Sequence, residues 1–416
     1  DPNTIQKVKL QAAELLRDLP ENASRGIDAI VKTASETAKS AVEQGRETVR
    51  QWTDGSESEI ANCLNASASL LGWQNVDQTS GSLSSFELPL DPEVISVGLA
   101  MLSKGKDRAK TEQSLSTSLN QLTSIKGDRL LVASSLDSAI SASVAALANG
   151  EVLIHRSQAI RLPSGTPLPD LFIGQTVREC GGSDAFHESD FGVRTDPCVV
   201  LADDGVRPIS PLVRSAGFTI AVLPIAMLGK HEDSIPSAEQ LRQEGIDLVV
   251  FAGGTLIGGP ASGLILGSSD LIERIESNPR WASWSANDLT RALTLAAFHQ
   301  AVSPFRKLVE TNIENLRSRA ERMATRLTGC SAITQCQVTD EEATLLKNAR
   351  WKFPSRQLKL RHERLSARDW NARLHASDPS IITTVQEDDL VVDLRWISPS
   401  DDSSLSERLE GETSST

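Results

Sequence analysis

Along the chain the spacing of apolar residues changes rhythm, and the change divides it. Ile5, Val8, Ala12, Leu15, Leu16 and Leu19 fall three or four residues apart, which predicts an amphipathic helix over 4–19 ending at Pro20. Ile27, Ile30, Val31, Ala34, Ala38, Ala41, Val42, Val49 and Trp52 predict a second over 26–52. Residues 54–84, rich in Ser, Gly and Asn, read as loop, followed by helical patterns over 92–103 and 111–122. Short buried runs then alternate with helices. A strand at 129–132, a turn at Ser134-Ser135, a helix over 136–147 and a strand at 152–154 form one such unit, and buried strands are predicted at 218–223 and 248–251. A short helix around 209–216 precedes the first of these, and helices over 270–277 and 308–327 follow the second. The last third predicts a strand at 357–360, a helix over 367–374 and a hairpin over 381–394 turning through Gln386–Asp389, with Leu390, Val392 and Leu394 alternating.

These elements predict an α/β fold: a helical segment over 1–55, a large domain over 56–300 with a mainly parallel central sheet, and a smaller α+β domain over 301–402. The acidic, serine-rich residues 403–416 read as a frayed tail.

One stretch organises the large domain. From Ile246 to Gly267 the chain reads IDLVVFAGGTLIGGPASGLILG, two apolar runs around a loop holding Gly253, Gly254, Gly258, Gly259, Pro260 and Gly263. Glycine accepts positive φ and close approach of other atoms, so the loop reads as a cleft wall rather than a plain surface turn. Ser134 and Ser135 stand where a strand meets a helix, a place suited either to anion binding by backbone N–H groups or to a serine cap. His187, Glu188 and Asp190 read as a solvated loop, and Asp203-Asp204-Gly205 as a turn rather than a ligand set.

The glycine stretch resembles the lysine loop of the bacterial selenocysteine synthases (L-seryl-tRNA(Sec) selenium transferases), pyridoxal-phosphate enzymes of the aspartate-aminotransferase fold, fold type I. Phe251, Gly253, Leu256, Gly258, Gly259, Pro260 and Gly263 fall on that pattern without a gap, and Thr255 falls on the lysine that forms the Schiff base. A hydroxyl forms no imine. The resemblance extends through Asn65–Leu71, His155–Leu171, Val177–Gly182 and Asp393-Leu394-Arg395. It also places Val222 where the family holds an aspartate on the pyridine nitrogen, Asp184 on an arginine, and Trp281–Asp288 on a group of cations. The two tryptophans there, Trp281 and Trp284, read as a drier, apolar wall.

The formal net charge of −13 opposes tRNA binding, and the basic run from Arg356 to Arg373 reads as a solvated face because Glu363 and Asp369 interrupt it. Five scattered cysteines, none in a CxxC or Cys/His spacing, point away from disulfides and structural zinc and towards a reducing, cytoplasmic setting. No apolar run reaches the length of a membrane span. Taken together, the sequence predicts a non-catalytic relative of the family with a structural, regulatory or ligand-binding role. It would have no catalytic residue, no metal and no cofactor, and a vestigial cleft at Ser134, Ser135, Val222, Thr255, Gly258 and Gly259. A homo-oligomer and a phosphorylated small molecule are the expected partners. The alternative is an active pyridoxal-phosphate transferase or lyase that recruits a lysine such as Lys230.

Overall fold

The computed structural model describes residues 90–411 except 104–107, 184, 192–196, 207, 210–216, 230–234, 255, 300–302, 346–349 and 378–380. The helices expected over 4–19 and 26–52 lie outside the described residues, as do the loop at 54–84 and, after Ile209, the helix expected over 209–216.

Two helices, α1 (Pro92–Ser103) and α2 (Arg108–Leu122), lead into β1 (Asp128–Ala133) and α3 (Leu136–Leu147). After these come β2 (Glu151–His155), β3 (Thr176–Cys180), β4 (Cys198–Ala202), β5 (Phe218–Leu223), α4 (Ala238–Gln243), β6 (Leu248–Ala252) and β7 (Gly263–Ser268). The seven strands form one sheet in the order β1-β7-β6-β5-β4-β2-β3. Strands β2 to β6 pair in parallel, while β7 is antiparallel to both β6 and β1, so six strands run one way and one returns between them. Central strands such as β4 (CVVLA, wholly buried) read as unbroken apolar runs because both faces of the sheet are covered. On one face Leu131, Ile154, Val200, Val222, Val250 and Ile265 pack with α3 residues such as Ala139 and Val144. On the other, Leu130, Val199, Ala221, Val249 and Phe251 pack with Leu115 and Leu119 of α2.

Helices α5 (Ser269–Glu276), α6 (Trp281–Trp284), α7 (Asp288–His299), α8 (Pro304–Val309) and α9 (Ile313–Thr328) carry the chain into a second sheet. That sheet, of order β12-β13-β11-β8, joins β8 (Ile333–Thr339), β11 (Gln357–His362), β12 (Thr384–Gln386) and β13 (Asp389–Asp393), all antiparallel. A separate two-stranded hairpin, β9 (Ala343–Thr344) with β10 (Lys352–Phe353), lies between β8 and β11 in sequence. Helices α10 (Ala367–Ala376) and α11 (Asp402–Gly411) complete the small domain.

Two elements differ from expectation. The single helix over 308–327 is two, because Asn312 caps the second by accepting from the Glu314 N–H (2.8 Å) with its own backbone extended. The stretch from Ser403 is not frayed through Gly411. It is α11, held by buried Leu405 and Leu409 at i, i+4 and by Arg319–Asp402 (2.7 Å) and Arg326–Glu410 (2.6 Å) ion pairs to α9. Among the described residues no helix is long and apolar enough to cross a membrane.

Candidate functional site

In an open sheet with one reversal, ligands bind outside the carboxyl ends of the parallel strands. Here those ends bring together most of the sequence-predicted positions. Ala133 of β1 pairs with Gly263, which also pairs with Ala252 of β6, while Phe251 pairs with Leu223 and Ala202 with Val222.

Ser134 and Ser135 follow β1. The Ser134 N–H donates to the Trp284 carbonyl (2.8 Å) and Ala286 N–H to the Val132 carbonyl (3.0 Å), so the segment after α6 extends the sheet edge at this corner. Ser135 is the cap of α3, its Oγ accepting from the Ser138 N–H (3.1 Å). The capping role is therefore what the structure shows. Asp137, in the first turn of α3, takes the Ser164 and Thr166 hydroxyls (both 3.2 Å), which puts the chain's own carboxylate at the positive end of the helix.

The glycine loop is packed against protein rather than standing open. A Cβ at Gly263 would lie 2.3 Å from the Ser135 carbonyl oxygen, at Gly253 2.3 Å from Ser262 Oγ, and at Gly259 2.7 Å from the Gly253 carbonyl oxygen. Gly258 takes a positive φ of 83°. Leu256 and Ile257 are buried, and Ser303 Oγ donates to the Leu256 carbonyl (3.3 Å). Val222 is fully buried in β5 within the apolar layer under α3. Thr255, Asp184 and Lys230 lie outside the described residues. Trp281 is buried in that same layer, as its apolar character predicts.

Two acids nearby have partners that sequence alone does not reveal. Asp203, expected only to make a turn, does so by accepting the Gly205 N–H (2.8 Å), and it also binds both guanidinium nitrogens of Arg350 (2.9 and 2.5 Å). Asp203 is 2% exposed. Its partner comes from the β9–β10 hairpin, 147 residues later, a distance at which spacing carries no signal. Asp190, read as part of a solvated loop, is bound by His155 Nε2 (3.1 Å) and by the His187 N–H (3.2 Å). His155 is fully buried at the end of β2, with Nδ1 2.7 Å from Ser157 Oγ, Phe186 4.9 Å away by ring centroid, and Gly181 so close that a Cβ would lie 1.8 Å from Nε2. Because Nδ1 also accepts the Ser157 N–H (3.1 Å), the ring proton sits on Nε2 and points at Asp190. The hydrogen bond from His155 holds the Asp190 carboxyl below the usual carboxylate range. A His–Ser spacing after a strand is the one local hint of this cluster. Among the described residues no group of three or more His, Cys, Asp or Glu is placed to hold a metal ion.

Comparison with known proteins agrees with this architecture. A family model described as L-seryl-tRNA selenium transferase matches residues 226–398. The L-seryl-tRNA(Sec) selenium transferase of Aquifex aeolicus is 29% identical over 164 residues, 37% of this chain and 35% of that protein. Those of Alkaliphilus metalliredigens and Moorella thermoacetica are 23% and 24% identical, covering 60% and 70% of this chain and 61% and 69% of theirs. The match thus spans between a third and about two thirds of the relatives' length. Among solved structures, D-glucosaminate-6-phosphate ammonia-lyase superposes with a TM-score of 0.61 at 14% identity, covering 83% of this chain and 97% of that one. A structure of SPT with a PLP internal aldimine gives 0.46 at 13%, covering 81% and 87%. The fold is aspartate-aminotransferase-like, as expected, and is shared with that ammonia-lyase.

These matches correct one expectation. The sequence reading assigned no cofactor because position 255 is threonine; the family to which the chain is related is pyridoxal-phosphate dependent, so pyridoxal phosphate is the cofactor to expect. At the positions that the sequence resemblance aligns with the family's lysine and acid, this chain carries Thr255 and Val222, which offer neither an amine nor a carboxyl.

Proposed function

We propose that this selenocysteine synthase-like chain, related to the L-seryl-tRNA(Sec) selenium transferases, is a ligand-binding member without their chemistry, one that takes pyridoxal phosphate or a similar phosphate ester without an imine from the glycine loop. The observation that carries this reading is Val222. It is wholly buried among aliphatic neighbours at the end of β5, on the strand next to β6 and its glycine loop, and the sequence resemblance aligns it with the family's acid. Thr255 agrees with it from sequence. The vestigial cleft of this proposal is Ser134, Ser135, Val222, Thr255, Gly258 and Gly259. A cytoplasmic homo-oligomer, dimer or larger, that does not engage tRNA is part of the same proposal; the net charge of −13 supports only its last element, the absence of tRNA binding.

The expectation that pyridoxal phosphate is the cofactor favours a second reading. An active transferase or lyase of this class would supply its amine from elsewhere, for instance Lys230.

One experiment separates them. Purified chain is equilibrated with pyridoxal phosphate, the bound fraction is measured by dialysis, and a parallel sample is reduced with borohydride and mapped by peptide mass spectrometry. Saturable binding with no stoichiometric adduct on any one lysine is expected. A stoichiometric adduct at a single lysine overturns the proposal in favour of the second reading, and absence of saturable binding overturns it altogether.

A further inference from the structure

β3 is the last strand of the large sheet, and among the described residues no strand pairs with its outer side. Its inner side is fixed. It runs parallel to β2, with Glu151 opposite Thr176 and Val152 opposite Val177, and the Thr176 N–H donates to the Gly150 carbonyl (2.8 Å). Main-chain groups alternate in direction along a strand, so those of Thr176 and Arg178 turn to β2 while those of Val177 and Glu179 turn outward. The residues from Thr176 to Glu179 are all exposed, as is Ile173 just before them at 57%. Charged side chains and proline commonly guard such an edge against pairing. Here both charges are engaged within the chain, Arg178 with Glu151 (2.7 Å) and Glu179 with Arg156 (3.5 Å), and the strand (TVREC) holds no proline.

We propose that this edge is where two copies of the chain meet, β3 pairing antiparallel with β3 of a second copy about a two-fold axis at Val177. The inference rests on the homo-oligomer of the reading above and names its contact. Symmetry, hydrogen bonding and charge select the register together. A two-fold axis normal to the sheet keeps each side chain on its own face, so the residue at the axis opposes its own copy and the others oppose residues of the same face. An axis at Arg178 sets two arginines against each other and one at Glu179 sets two glutamates, both destabilising pairs. Axes at Thr176 and Cys180 carry the pairing off the ends of the strand. An axis at Val177 sets valine on valine, and because the N–H and C=O of that residue both turn outward, the two copies exchange a full pair of main-chain hydrogen bonds there. It also places Glu179 opposite Gln175 and Arg178 opposite Thr176, so no like charges meet.

Sedimentation of the full chain over a range of concentrations, without ligand, measures self-association. Val177→Lys sets two like charges at the axis and leaves the bonds to β2 in place, so it is expected to raise the dimer dissociation constant roughly tenfold or more with the urea midpoint of the fold unchanged. Val177→Cys tests the register directly, because a hydrogen-bonded antiparallel pair brings the two Cα atoms within disulfide reach. Oxidation with diamide, followed by peptide mapping, is expected to link the two introduced cysteines across the axis, and Arg178→Cys is expected not to link in the same way. A parent dimer whose dissociation constant Val177→Lys leaves unchanged, or one that links through Arg178→Cys in preference to Val177→Cys, overturns this contact and leaves the homo-oligomer standing. A parent that stays monomeric at every concentration overturns both, while pyridoxal-phosphate binding remains open to its own measurement. Should Val177→Lys fail to fold, the linking pattern of the two cysteine variants decides.

Discussion

Gly263 shows how little room the strand ends leave. The hydrogen it carries faces the Ser135 carbonyl oxygen and Ala139, and a methyl group there would lie 2.3 Å from the first and 2.6 Å from Cβ of the second. Both belong to backbone or a short side chain of α3, so neither moves aside cheaply. Gly263→Ala is expected to destabilise the chain by about 2–3 kcal/mol through overpacking, measured as a lower urea midpoint with an unchanged slope. A midpoint within error of the parent would show that α3 shifts freely. The importance of these glycines is legible in the sequence, since a cluster of them between two apolar runs has few other uses. The partners of Asp203 and Asp190 are not. Arg350 and His155 are distant in the chain, and an acid in a turn looks the same whether or not a cation comes to meet it.

The caps at element boundaries can be tested singly. Ser135 Oγ satisfies one of the four N–H groups that open α3. Ser135→Ala is expected to cost about 1 kcal/mol and Ser135→Gly only a few tenths, both read from urea titrations. Equal losses for the two would argue that the serine contributes through packing instead. Elements with a single clear rhythm, such as α3, β5, β6 and the β12–β13 hairpin, stand where their periodicity predicts. Those that failed did so for local reasons. Asn312 divides one apolar stripe into α8 and α9, a polar cap hidden inside a continuous pattern. In α11 acidic and serine residues outnumber the apolar ones, and Leu405 with Leu409 becomes a helix face only because α9 offers a surface to cover. β8 (ITQCQVT) is largely polar, and its pairing with β11 rather than its own composition makes it a strand.

At the scale of the molecule, the small domain is tied to the helices leading into it by one buried pair of charged residues at the end of β13. Arg395 donates to the carbonyls of Leu308 (3.0 Å), Val309 (2.9 Å) and Thr311 (2.6 Å) at the close of α8, and to that of Pro354 (3.0 Å). Asp393, 5% exposed, accepts from Ser355 Oγ (2.5 Å), Gln357 Nε2 (3.0 Å) and the Arg395 N–H (3.0 Å). Burial raises the Asp393 carboxyl above its ordinary value, and these hydrogen bonds, with the nearby Arg395 charge, pull the other way without cancelling it. A carboxyl whose folded pKa is raised stabilises the fold most when it is protonated in both states. That contribution is complete below the ordinary carboxylate pKa and is lost as pH climbs through the raised one. Asp393→Asn cannot titrate and removes this dependence at one site, leaving every other carboxylate in place. The stability of the parent relative to Asp393→Asn is therefore expected to improve as pH is lowered from neutrality to about 4, even while both proteins lose stability overall to acid. Paired urea titrations across that range measure the difference directly. A gap that is flat with pH, or that widens against the parent on acidification, would mean that the donors around Asp393 outweigh its burial and that the junction holds a settled charge.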